Sequence, residues 1–160
     1  MSPTNPIDPA LHRQMAVKLF NETWGLLDQP MRTASEDDDM IHMAHASRYH
    51  WGVVGQPVNL ARGEWQIARV YTVLNRAEPA LHHATRSLQY CEDYDLGSFE
   101  VGFAHEAMAR AYALHGLSAE RDAHWVKAMA AAAQVEDGAD RRWLTRNIEG
   151  VKSDSIPEWE

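Results

Sequence analysis

Two stretches of the chain carry the same pattern: Ala68–Asn75 reads ARVYTVLN, and Ala109–Gly116 reads ARAYALHG. The second stretch begins 41 residues after the first, and both place alanine, arginine and tyrosine at matching positions. Each closes on Asn or Gly, the residues that most readily adopt the left-handed conformation found just after a helix. We therefore predict that the two stretches end equivalent helices in two copies of one structural unit.

The same shift of 41 residues aligns the flanking sequence. It pairs Ile67 with Met108 and His83 with His124, and small residues match small residues where two helices must approach closely. Self-similarity at a fixed period is the sequence signature of repeat architectures. The sequence therefore predicts a repeated helical hairpin over residues 60–132.

Apolar residues recur at helical spacing along nearly the whole chain, without alternating β-branched runs. Capping and helix-breaking residues divide the chain into seven helices, with Thr33 or Ser35 and Ser98 as candidate N-caps and Ser118 as the residue that opens the sixth helix. The predicted helices are about 9–27, 36–54, 59–74, 77–94, 98–115, 118–135 and a seventh that ends near 151. Short connections between such helices predict an all-α fold of antiparallel hairpins. We expect one domain over residues 1–152 and a flexible acidic tail over residues 153–160.

The spacing of small residue, tyrosine and Asn or Gly in these stretches resembles the tetratricopeptide repeat. The resemblance implies about three hairpins stacked as a short right-handed superhelix, with the seventh helix as a C-terminal cap. It also implies a concave groove, lined by the first helix of each hairpin, that binds a protein or peptide segment. The residues that it places in the groove are Arg62, Trp65, Arg69, Glu106 and Arg110.

The arginines in this groove indicate that the partner carries an acidic group. Arg69 and Arg110 occupy equivalent places in adjacent repeats, so two guanidinium groups in register are expected to bind a carboxylate or acidic peptide end. The alternative is that these arginines pair with Glu64 and Glu106 on neighbouring turns. The spacing leaves both alternatives open.

Composition bounds the class of partner. Fifteen basic and twenty-three acidic residues give a net charge of −8, which argues against nucleic-acid binding. No run approaches the roughly 18 apolar residues of a membrane span, and the N-terminal residues do not resemble a signal peptide. The single cysteine, Cys91, suits a reducing compartment, so we expect a cytoplasmic protein without a membrane partner.

Residues 37–51, DDDMIHMAHASRYHW, raise an alternative function. Asp38, His42 and His45 share one face of a helix, and a carboxylate with two imidazoles can hold a divalent metal ion. A third strong ligand would have to come from another helix. The competing interpretation is that acidic residues in a first helical turn stabilise the helix dipole. We therefore expect no cofactor, and keep a metal-binding protein or metal-dependent enzyme as the alternative.

The remaining sequence gives little support to catalysis. Cys91 aligns with Ala132 on an apolar face, and no nucleophile elbow or phosphate-binding loop is present. The segment Ile156–Glu160, IPEWE, combines acidic residues with an aromatic one. It is expected to be untethered; docking in the groove of a second copy, which would give a homodimer, is the alternative.

Overall fold

The computed structural model describes the backbone of residues 6–154 and the side chains of residues 6–151. The described chain is all-α and contains no strand. Seven helices follow one another: α1 (Pro9–Leu27), α2 (Ala34–Val54), α3 (Pro57–Val73), α4 (Ala77–Asp93), α5 (Ser98–Leu114), α6 (Ser118–Ala133) and α7 (Gly138–Asp154). Of the predicted tail, residues 153 and 154 belong to α7, and residues 155–160 lie outside the described residues.

Local sequence explains where most of these helices begin. Asp8 accepts a hydrogen bond from the Ala10 amide, with Pro9 at the first helical position of α1. Thr33 and Glu36 form a reciprocal capping box at the start of α2. Ser118 begins α6 as predicted. Ser98, a candidate N-cap in the sequence, is instead the first residue of α5, because the extended Gly97 before it occupies the N-cap position.

The helices pack as neighbours along the chain. The most extensive contacts join α1 with α2, α3 with α4, and α5 with α6, so the chain forms three hairpins followed by α7. The first helices of successive hairpins also touch: α1 contacts α3, α3 contacts α5, and α5 contacts α7. This arrangement is compatible with a helical repeat.

The predicted helix ends are confirmed by the backbone. Asn75 has φ 59° and Gly116 has φ 71°, so both adopt the left-handed conformation. The amide of the next residue bonds back to the repeated tyrosine in each case, from Arg76 to Tyr71 and from Leu117 to Tyr112. Equivalent residues thus end α3 and α5 in the same way.

The repeat extends to side-chain packing between the helices of a hairpin. The ring of Tyr71 stacks on that of His83, with centroids 5.8 Å apart, and Tyr112 stacks on His124 at 5.4 Å. Small residues let the helix backbones approach closely, and the buried ones include Ala61, Ala68, Ala80, Ala84, Ala104, Ala109, Ala128 and Ala132. The repeat inferred from the sequence is therefore present as repeated contacts.

Candidate binding cleft

A cleft opens on the side of the molecule formed by the first helices of the hairpins. Its volume is about 210 Å³. The residues that line it come from α1, α3, α5 and α7, with one from α4: Phe20, Trp24, Ala61, Arg62, Trp65, Ser87, Phe99, Glu100, Phe103 and Trp143. Helices far apart in the sequence therefore build one surface.

Aromatic rings in contact form the wall of the cleft. Trp24 lies against Trp65, with ring centroids 5.4 Å apart, and Trp65 meets Phe103 edge-to-face at 5.1 Å. Phe103 in turn meets Phe99 at 5.0 Å. The two contacts of Phe103 are edge-to-face, which is a favoured geometry of aromatic pairs, and the Trp24–Trp65 pair is tilted. On α7, the half-exposed Trp143 presents apolar surface to the cleft.

One ion pair lies at the rim. The Nε of Arg62 donates to the Glu100 carboxylate at 3.1 Å, and the Nη2 of Arg62 donates to the same oxygen. The guanidinium also lies 6.0 Å from the centre of the Phe99 ring. More than half of the Arg62 side chain is exposed, so a bound group could reach it.

The other predicted groove residues form a buried network beside the cleft. Glu106, 1% exposed, accepts a hydrogen bond from the Trp65 indole at 2.8 Å and another from Arg110. Arg110, 5% exposed, also donates to the Asn147 carbonyl of α7 at 2.9 Å. Arg69 reaches the same carboxylate of Glu106 at 4.0 Å. The structure thus gathers Trp65, Arg69, Glu106 and Arg110, but around the protein's own carboxylate.

Glu106 already occupies the arginine that was expected to bind an incoming carboxylate, Arg110. An incoming acidic group would have to displace Glu106 from Arg110 in a buried environment, which leaves an uncompensated charge and is costly. Arg62, at the accessible rim, has no such obstacle beyond its exposed pairing with Glu100. Of the three predicted arginines, Arg62 has the most exposed side chain and is the one that lines the cleft.

The histidine stretch of α2 separates into exposed and packed residues. Asp38 and His42 are exposed, whereas His45 turns inward and shares a hydrogen bond of 2.9 Å with the Tyr71 hydroxyl. Among the described residues, no group of three or more His, Cys, Asp or Glu side chains is arranged to hold a metal ion.

Behind the cleft, Glu64 holds α2, α3 and α4 together. Its carboxylate accepts hydrogen bonds from the Nδ1 of His83 at 2.6 Å and from the Nε of Arg48 at 3.2 Å. Burial alone would raise the pKa of Glu64. The hydrogen bond from His83 and the charges of His83, Arg48 and Arg86 lower the pKa by more than burial raises it, so the net shift is downward. Burial, and then the neighbouring His83, lower the pKa of His45.

The next hairpin repeats this contact with different chemistry. His105 occupies the position equivalent to Glu64, and its Nδ1 lies 2.9 Å from the Nδ1 of His124. One imidazole must donate and the other accept, so the two rings cannot both be protonated in this contact. Burial, and then the neighbouring His124, lower the pKa of His105 to about 4. Because the position recurs between paired helices, we interpret both contacts as hairpin packing.

Sequence reasoning did not find most of the cleft. The missed residues are Phe20, Trp24, Phe99, Glu100, Phe103 and Trp143. Their one available signal was the spacing of Phe20 with Trp24 and of Phe99 with Phe103, four residues apart on one helix face. The same spacing is typical of core residues, so it does not by itself indicate a site.

Comparison with known proteins yields no family model, no curated protein and no solved structure that matches this chain. Across the described residues, no helix combines the length and the apolar character needed to cross a membrane.

Proposed function

We propose that the protein is a tetratricopeptide-like binding module that captures a segment of another polypeptide in the aromatic cleft. The observation that carries this proposal is a concave apolar surface built jointly by α1, α3, α5 and α7. The mutual contacts of these helices support a stacked array in which the first helix of each hairpin faces the partner.

The size of the cleft favours a peptide anchor over a small-molecule ligand. Typical small-molecule pockets enclose roughly 300–1,000 Å³, and this cleft encloses about 210 Å³. A space of that size accommodates one large side chain. A partner segment would therefore insert an aromatic or large aliphatic anchor, while its backbone lies along the exposed rim.

The rim defines the second element of recognition. Arg62 can donate charge-assisted hydrogen bonds to an acidic group next to the anchor, because its side chain is exposed and already oriented by Glu100. Packing against Trp143 would supply most of the affinity, since large aromatic residues dominate interface energetics. The partner is thus a peptide with an apolar anchor beside a carboxylate.

Selection from a random peptide library, followed by calorimetric titration, tests the proposal. We expect selected peptides to contain an aromatic or large aliphatic residue next to Asp or Glu. Trp143→Ala should weaken their binding at least about tenfold, and Arg62→Ala several-fold. Val126→Ala on α6 is the matched control, because Val126 is exposed but outside the cleft.

Two results would overturn the proposal. One is a library from which no peptide is enriched. The other is a set of enriched peptides that bind the Trp143→Ala variant as tightly as the unaltered protein, since their site would then lie elsewhere.

A further inference from the structure

We infer that the cleft of one protomer takes the segment Ile156–Glu160 of a second copy, with Trp159 as the anchor. This inference rests on the proposed function, because it names the partner of the same cleft. Residues 155–160 lie outside the described residues, so the argument uses their sequence, the shape and charge of the cleft, and the reach of the chain.

The shape of the cleft matches one indole. Trp24, Trp65, Phe99 and Phe103 wall the cleft, and Trp143 borders it. An added ring could meet these in the tilted and edge-to-face geometries that they already adopt among themselves. The volume of about 210 Å³ leaves room for a single large side chain.

The helix α7, which borders the cleft through Trp143, carries a net charge opposite to that of the segment. Arg142 and Arg146 flank Trp143 on α7, are exposed, and form no ion pair among the described residues. Over residues 138–151, α7 carries three arginines, the third being Arg141, against two acidic residues, Asp140 and Glu149, and the Arg62–Glu100 pair at the cleft adds no net charge. This local excess of positive charge contrasts with the net charge of −8 for the whole protein.

The segment IPEWE supplies the complementary groups. Glu158 and Glu160 flank Trp159, so an indole seated in the cleft would carry a carboxylate on each side towards the guanidinium groups. Pro157 restricts the backbone before the anchor, which lowers the entropy lost on binding.

The reach of the chain favours a second copy over the same molecule. Trp143 lies eleven residues before the last helical residue, Asp154, a distance of about 16 Å along α7. From Asp154 to Trp159 the chain spans at most about 18 Å when fully extended. A return towards the cleft requires a turn, which brings residues three positions apart to within about 7 Å. The anchor therefore falls short of its own cleft, whereas a neighbouring protomer imposes no such limit.

Exchange of the two segments between two protomers gives a closed dimer. Each protomer of a two-fold dimer would offer one cleft and one segment, so every cleft is filled and no site is left for further addition. The second copy thereby contributes the residue that completes the site.

Sedimentation velocity of the full chain over a wide concentration range tests the inference. We expect a monomer–dimer equilibrium that Trp159→Ala weakens at least about tenfold. Trp159 lies outside the described residues. Tyr94→Ala is the control for loss of an exposed aromatic ring, because Tyr94 lies outside the cleft, and should leave dimerisation unchanged.

A labelled peptide of residues 154–160 provides the second readout. Titrated into the full-length Trp159→Ala protein, it should bind with saturable fluorescence anisotropy, and an added Trp143→Ala substitution should weaken binding at least about tenfold. Replacing Glu158 and Glu160 by Gln in the peptide should weaken binding several-fold and reduce its dependence on salt.

Three outcomes would overturn the inference: a protein that stays monomeric, a dimer unaffected by Trp159→Ala, or a peptide that does not bind. These are distinguishable from failure of the proposed function. If library-selected peptides still require Trp143 while the 154–160 peptide does not bind, the cleft captures a different partner and the proposed function stands.

Discussion

The buried pair of Glu106 and Arg110 gives the most direct test of how the third hairpin is held. In Arg110→Met the apolar stem is retained and the guanidinium is lost. Glu106 then keeps the hydrogen bond from the Trp65 indole and the distant charge of Arg69, but loses its closest cation. The Asn147 carbonyl loses a donor at the same time, so the contact of α5 with α7 weakens.

The expected cost follows from burial. Removing one partner of a buried ion pair destabilises a protein by about 3–5 kcal/mol, because the remaining charge is left desolvated and uncompensated. Arg69 at 4.0 Å and 24% exposed offers partial compensation, so we expect the lower end, about 3 kcal/mol. That loss is a large part of the 5–15 kcal/mol by which domains are typically stable.

Urea unfolding monitored by circular dichroism measures this loss. The double variant Glu106→Gln with Arg110→Met removes both charges and should recover at least half of the loss, because no unpaired charge stays buried. Arg62→Met is the matched control: its ion pair with Glu100 is exposed on the arginine side, so its removal should cost less than about 1 kcal/mol.

Two results would refute this reasoning. If Arg110→Met costs less than about 1 kcal/mol, the pair does not support the fold as its burial indicates. If the double variant is no more stable than the single one, the loss comes from packing or the Asn147 hydrogen bond and not from an unpaired Glu106.

Three further predictions follow from individual residues. The free energy of unfolding should fall as the pH drops from 6.5 towards 4, because burial lowers the pKa of the folded His105 imidazole to about 4, so that over this range the unfolded chain binds the proton more readily than the folded one. Urea midpoints across this pH range check the prediction, and His105→Gln should flatten the slope. Gly116→Ala should destabilise the protein by about 1 kcal/mol, because the φ of 71° at this position is left-handed and unfavourable for a residue with a Cβ atom. Gly25→Ala should instead stabilise the protein by about 0.5–1 kcal/mol, because Gly25 is helical and has open space where the Cβ would lie. Thermal unfolding of both variants measures the difference. Cys91, buried and with its pKa raised by burial to about 12, should react with iodoacetamide only after denaturant is added, and equal labelling of the native protein would contradict this.

The fold was predictable from sequence where local chemistry dictates the backbone. Asn75 and Gly116 are residue types that tolerate a left-handed conformation, and both adopt it. Thr33 with Glu36 three residues later is a capping box in sequence and in structure. Seven helices and their order follow from such signals, because each depends on residues only a few positions apart.

The cleft was less predictable because it depends on residues from five helices. Phe20 and Phe99 have the spacing of core residues in their own helices, whereas Trp143 lies beside the buried stripe of α7. Only the packing of α1, α5 and α7 decides that these three residues border a common space. Arg110 illustrates the opposite case. Its equivalence to Arg69 suggested a second groove cation, but no spacing rule reveals that Asn147 of α7 covers it.

The buried pair and the cleft have a common origin in the imperfection of the repeat. Trp65 and Glu106 are 41 residues apart, at equivalent positions of α3 and α5, and they are hydrogen-bonded to each other. Where the second hairpin has an indole that walls the cleft, the third has a carboxylate that cannot remain buried without a cation. Arg110 satisfies that requirement, while Arg69, its equivalent, stays partly exposed. A perfect repeat would have placed the same residue at this position in both hairpins. Because α5 has an acid where α3 has an aromatic residue, Arg110 pairs with that acid and also bonds to Asn147, which joins α5 to α7. The aromatic wall of the cleft is left accessible.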